Sequence, residues 1–114
     1  MNEAILEVKD SVVEYLGNFL DGIQSACEMI GNNNLTGAIE MLKGINGGIE
    51  YLIDAISALK NHVELDIDIT DTVAFLNEIN EAIENQDFVF LSDLLEYELK
   101  PVAEDWQKKI TALS

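Results

Sequence analysis

The stretch "DFVFLSDLLEYELKPVAEDW", residues 87–106, is the most strongly patterned part of this chain and sets its fold class. Phe88, Leu91, Leu95, Leu99, Val102 and Trp106 recur at steps of three and four, with Leu113 further along. That spacing lines one side of an α-helix. Asp87 stands where an N-cap belongs, since its carboxylate can accept from the first free N–H groups. A helix over about 88–111 is predicted. Pro101 lies inside it, and an interior proline removes a backbone bond and presses on the preceding turn, at ~3 kcal/mol.

Three more amphipathic segments precede it. Ile5, Val8, Val12, Leu16, Phe19, Ile23, Cys27 and Ile30 predict a helix over about 3–30. Gly31-Asn32-Asn33-Asn34 ends it with residues that accept left-handed dihedrals, and Asn34 can cap the next helix. Leu35, Ala38, Leu42, Ile45, Ile49, Ile53 and Ile56 mark a helix over about 35–61, and Val73, Leu76, Ile79 and Ile83 one over about 71–85. Between these, "HVELDIDITD" alternates apolar and acidic residues as a strand does. No second strand is available to pair with it, so it reads as an extended connection, with Asp68, Thr70 and Asp71 as cap candidates.

A faint repeat links the two halves. Ile23, Ala26 and Ile30 fall on Leu76, Ile79 and Ile83 at a constant offset (76 − 23 = 53). At that offset both short turns carry asparagine, and Pro101 falls on Gly48. Gly44, Gly47 and Gly48 weaken the second helix at the level where Pro101 weakens the fourth. Both helices are expected to bend there, or the second to divide in two. The reading is all-α: a four-helix bundle made of two helical hairpins with an approximate internal twofold repeat, one domain over residues 1–114.

Composition narrows function. The chain has 114 residues, 48% hydrophobic and 25% charged, which suits a globular domain with one core. Asp and Glu total 22 against 6 lysines, giving a net charge of −16. Such a surface repels nucleic acids and anionic lipids and favours basic partners. The first residues lack the basic start of a secretory signal, and the single cysteine, Cys27, fits a reducing compartment, so a cytoplasmic protein is expected.

Chemistry-bearing constellations are sparse. A di-iron bundle site needs Glu-x-x-His pairs, and His62 is the only histidine. Glu64, Asp66, Asp68 and Asp71 lack the glycine and terminal glutamate of a calcium loop. Cys27 falls on a core face, and no glycine-rich phosphate loop occurs. No catalytic residue, cofactor or metal is expected, and the chain reads as a non-enzyme.

The last helix holds the one candidate site. Phe90, Leu94, Tyr97 and Pro101 form a second stripe ~100° from the core stripe, with Glu98 and Asp105 between the two. As a docking surface, Phe90, Leu94 and Tyr97 would meet a partner helix or a second copy, while Glu98 and Asp105 fix orientation on basic groups. The competing account is that neighbouring helices of the same chain cover this stripe.

The run Asp93 to Pro101, Asp-Leu-Leu-Glu-Tyr-Glu-Leu-x-Pro, followed by Trp106, resembles a segment of small acidic helical bacterial proteins of unassigned function. The resemblance implies a bacterial, cytoplasmic helical domain and no known activity. Taken together, these features point to a non-catalytic protein-binding or adaptor bundle, chaperone-like, with a basic or amphipathic helical partner. The alternative is an acidic DNA-mimic inhibitor of a nucleic-acid-binding protein.

Overall fold

Three of the helices begin at a side chain that caps them. In the computed structural model, which describes residues 2–113, Asn2 Oδ1 accepts from the Ile5 N–H at 2.9 Å and opens α1, Glu3–Gly31. Asn34 Oδ1 accepts from the Gly37 N–H at 3.1 Å and opens α2, Leu35–Lys60. Helix α3 runs Thr72–Glu84, and Asp71 precedes it without making a side-chain cap. Asp87 Oδ1 accepts from the Phe90 N–H at 3.1 Å and opens α4, Phe88–Asp93. The helix then passes through a π-helical segment, Leu94–Leu99, and continues as α5, Lys100–Thr111. There is no strand among the described residues.

The two hairpin turns are built alike. After α1, the Asn33 N–H donates to the Ile30 carbonyl and the Asn34 N–H to the Met29 carbonyl. After α3, the Gln86 N–H donates to Ile83 and the Asp87 N–H to Ala82 in the same pattern. This is the Schellman arrangement, which needs one left-handed residue. Asn33 and Gln86 supply it, at φ of 60° and 54°. The repeat seen in sequence is therefore a repeat of turn geometry: each left-handed residue is followed by the cap of the next helix.

Helix α1 packs on α2 and on the α4–α5 rod, and α3 packs on α2 and α4, so the four helices enclose one elongated core. Leu16, Ile23, Leu42, Ile49, Leu52, Ile56, Leu59, Leu95 and Leu99 fill it. Burial of this apolar surface is the main driving force for the bundle. Leu52, Leu59, Ala103 and Ile110 also belong to the core although the periodicity did not select them, and Val73, expected inside, is 50% exposed. Helix α3 turns Thr72, Ile79 and Ala82 inward instead. Helix α2 is continuous across Gly44, Gly47 and Gly48, so the alternative of two shorter helices does not hold.

At 13 residues, α3 is half as long as α2. Segment 61–71 adds to the core beyond the start of α3. Ile67 is buried, and Val63, Leu65 and Ile69 pack on the core, while Glu64, Asp66 and Asp68 face water. Strand-like alternation thus serves an unpaired strap. Lysines tie it down: Lys60 Nζ donates to the Ile67 carbonyl, and Lys109 Nζ to the Asp66 carbonyl at 2.8 Å. The Thr70 hydroxyl and N–H both donate to Asp68 and hold its carboxyl below the usual range.

Candidate functional site

The second stripe expected on the last helix is split by the structure. Phe90 and Tyr97 are 40% and 71% exposed, and Pro101, Glu98 and Asp105 also lie on the surface. Leu94, expected beside them, is 0% exposed and is a core residue. The cause is the π segment. Leu91, Leu95, Leu99 and Ala103 follow one another at steps of four, and in a regular α-helix each such step overshoots a full turn by ~40°. Three steps would rotate the side chain ~120° away from the core. The wider i→i+5 turn absorbs the excess, so all four stay buried and Leu94 comes in beside Leu95.

The same segment accounts for Pro101. The Lys100 N–H donates five residues back, to the Leu95 carbonyl. Pro101 follows directly, near the start of α5 and next to that wide turn, where the ladder is changing register. Its missing donor would have served the carbonyl of Glu96 or Tyr97, and both residues lie on the exposed side of the helix. Helix α5 therefore continues past the proline. The leucine doublet 94–95 within a step-of-four run that passes over Pro101 is the sequence signal for this arrangement.

Around Phe90 the surface is concave. A hollow of about 220 Å³ between α3 and α4 is lined by Glu78, Glu81, Ala82, Asn85, Asp87 and Phe90. Asp87 is engaged in capping, while Glu78 and Glu81 make no ion pair among the described residues. Val89, beside Phe90, is 77% exposed. Asp105 is not free, because Lys109 Nζ lies 3.1 Å from its carboxylate and 4.0 Å from Asp66. Glu98 is exposed and has no ion pair among the described residues. Phe90, Tyr97 and Glu98 thus remain available to another molecule, Leu94 does not, and Asp105 is shared with the strap.

The groups capable of nucleophilic or metal chemistry are separate. Cys27 sits on α1 against α4, its Sγ 3.9 Å from the Ser92 carbonyl, and burial pushes the thiol up. An elevated thiol pKa lowers the thiolate fraction and hence reactivity. His62 is exposed beyond the end of α2. No cluster of potential metal ligands is present among the described residues. Among the described residues, no helix is long and apolar enough to cross a membrane.

No curated protein and no solved structure matches the chain. The profile of a domain of unknown function, DUF8042, matches residues 7–109, which is most of the sequence. That match takes in the strap, all of α2, α3 and α4, and nearly all of α1 and α5, so this chain is a member of the DUF8042 family.

Proposed function

We propose that this chain is a non-catalytic protein-binding bundle of adaptor or chaperone type, acting on a basic or amphipathic partner in the bacterial cytoplasm. One observation carries the reading. Exposed Phe90, Val89 and Tyr97 stand among carboxylates that have no lysine of their own. Only Glu40, Asp66 and Asp105 have ion pairs among the described residues, although the chain holds 22 acids. Apolar anchors ringed by like charge suit a partner of opposite charge, the anchors giving affinity and the charges steering encounter.

The DNA-mimic reading has one supporting feature. Glu7, Glu14, Asp21 and Glu28 are all exposed and stand seven residues apart along α1. That spacing is ~10.5 Å along a helix. A DNA strand carries a charge every ~3.4 Å of its axis, so the row is too sparse to imitate it. Protein docking is therefore preferred.

The test is photo-crosslinking in cells of the native host. A benzophenone amino acid at position 97 should give a discrete adduct with another protein, and one at position 104 should not. No adduct from position 97, or the same smear from both, would count against the reading.

A further inference from the structure

A second surface, distinct from the hollow between α3 and α4, lies along the α1–α2 hairpin. On α1 the stripe Ala4, Val8, Ser11, Tyr15, Asn18 and Gly22 recurs at steps of four and three. On α2 the stripe Met41, Gly44, Gly48, Tyr51, Ala55 and Ala58 does the same. Neither contains a charged residue, in a chain where a quarter of all residues are charged.

The structure sets the two stripes against each other along one seam of the hairpin. Tyr15 and Tyr51 meet with ring centroids 4.6 Å apart, and Met41 lies across from Gly22. A hollow of about 520 Å³ opens toward Ala4 and Ala58, floored by Val8 and Ala55. A smaller one of about 130 Å³ opens toward Gly22 and Met41, floored by Phe19 and Ile45. From residue 4 to residue 22 the seam spans ~27 Å, the length of five helical turns. Small side chains at its two ends, Ala4, Ser11 and Ala58 at one and Gly22 and Gly44 at the other, let another backbone approach, and the tyrosine pair between the two hollows offers an aromatic anchor.

The rims are acidic. Glu7 and Asp54 line the larger hollow, and Glu14 and Asp21 continue the α1 flank at the same heptad position as Glu7. On the α2 flank Lys43 lies 3.3 Å from Glu40, which neutralises it.

We infer that this seam is the docking groove for a basic amphipathic helix of a partner protein, an inference that rests on the protein-binding reading above. A small, uncharged floor accepts the apolar face of a helix, and two acidic flanks accept lysines or arginines on either side of that face. The charge decides among occupants. A second copy would set its own acids against these rims, and an acidic peptide or an anionic lipid surface would be repelled in the same way.

The probe is a labelled 20-residue designed helix with leucine and alanine on one face and lysine on the other, followed by fluorescence anisotropy. Its controls are a scrambled peptide of the same composition and a glutamate version of the same helix. The basic helix should bind in 1:1 ratio, and the scrambled and acidic peptides should bind at least about tenfold more weakly.

Glu7→Lys with Asp54→Lys should weaken binding about tenfold or more. Ser11→Trp, which obstructs the larger hollow from an exposed position, should do the same. Glu84→Lys with Glu104→Lys makes an equal charge change outside the groove and should leave binding within about threefold. Circular dichroism of each variant confirms that the fold is retained.

Equal binding of the scrambled peptide, or an equal loss in the two double variants, would overturn the groove, since either result means charge attraction alone. So would absence of binding by the basic helix. If binding is instead lost with Phe90→Lys and Tyr97→Lys and unchanged by the groove variants, the groove fails while the protein-binding reading stands.

Discussion

Gly48 shows how a single side chain fixes the distance between two helices. A Cβ at this position would stand 2.6 Å from the Tyr15 hydroxyl oxygen and 2.9 Å from Phe19 Cδ1, so the glycine is what lets α1 and α2 close. Gly44, one turn earlier, and Gly47, the adjacent residue, face open space. The three glycines therefore separate by experiment. Gly44→Ala and Gly47→Ala should each raise stability by about 0.5–1 kcal/mol, from helix propensity. Gly48→Ala should lower it by about 1–3 kcal/mol, from overpacking against Phe19. Urea denaturation of the three variants checks the opposite signs. The turn residue Gln86 offers a further test: a long side chain at φ 54° is unfavourable, and Gln86→Gly should stabilise by about 0.5–1 kcal/mol in the same assay.

Among the helices, the π segment distributes Leu94 and Tyr97 between core and surface. Leu94→Asp would bury an unpaired carboxylate at a fully enclosed position and should cost at least about 3 kcal/mol, removing the cooperative melt. Tyr97→Asp replaces an exposed ring and should leave the melt within about 0.5 kcal/mol of the parent. Thermal melts followed by circular dichroism distinguish the two. Comparable losses would mean that Tyr97 is also covered and that the last helix presents no free aromatic surface. The strap is the second element that tertiary packing defines. Its alternation is legible as extended backbone, yet its stability comes from Ile67 in the core and from two lysines bonded to its carbonyls.

Across the bundle, the balance of charge outweighs any single ion pair. The three surface pairs among the described residues contribute little, each ~0–1 kcal/mol. The net charge of −16 repels itself throughout a small volume, more strongly at low ionic strength. Raising sodium chloride from ~10 to ~300 mM should therefore stabilise the bundle by ~1 kcal/mol or more, the reverse of what a fold held by ion pairs would show. Urea midpoints at the two salt concentrations check the sign. The same screening should weaken binding of the basic helix in the α1–α2 groove, so folding and docking respond to salt in opposite directions.

Features under local geometric control were legible in the order of residues alone. Helix positions follow from a 3.6-residue period, and the caps Asn34 and Asp87 and the two matched turns follow from side chains within four residues of the backbone groups they serve. The lack of a partner strand was equally local, because the alternation occurs only once. Packing between helices instead set the phase of each helix wherever a turn departs from that period. Leu94 looks like a surface residue on a regular helical projection, and the π turn beside Pro101 rotates it into the core. The α1–α2 seam was hidden for a related reason. Its stripes are uncharged but mostly small, so they read as neither core nor site until packing sets them side by side and leaves a hollow on each side of the tyrosine pair.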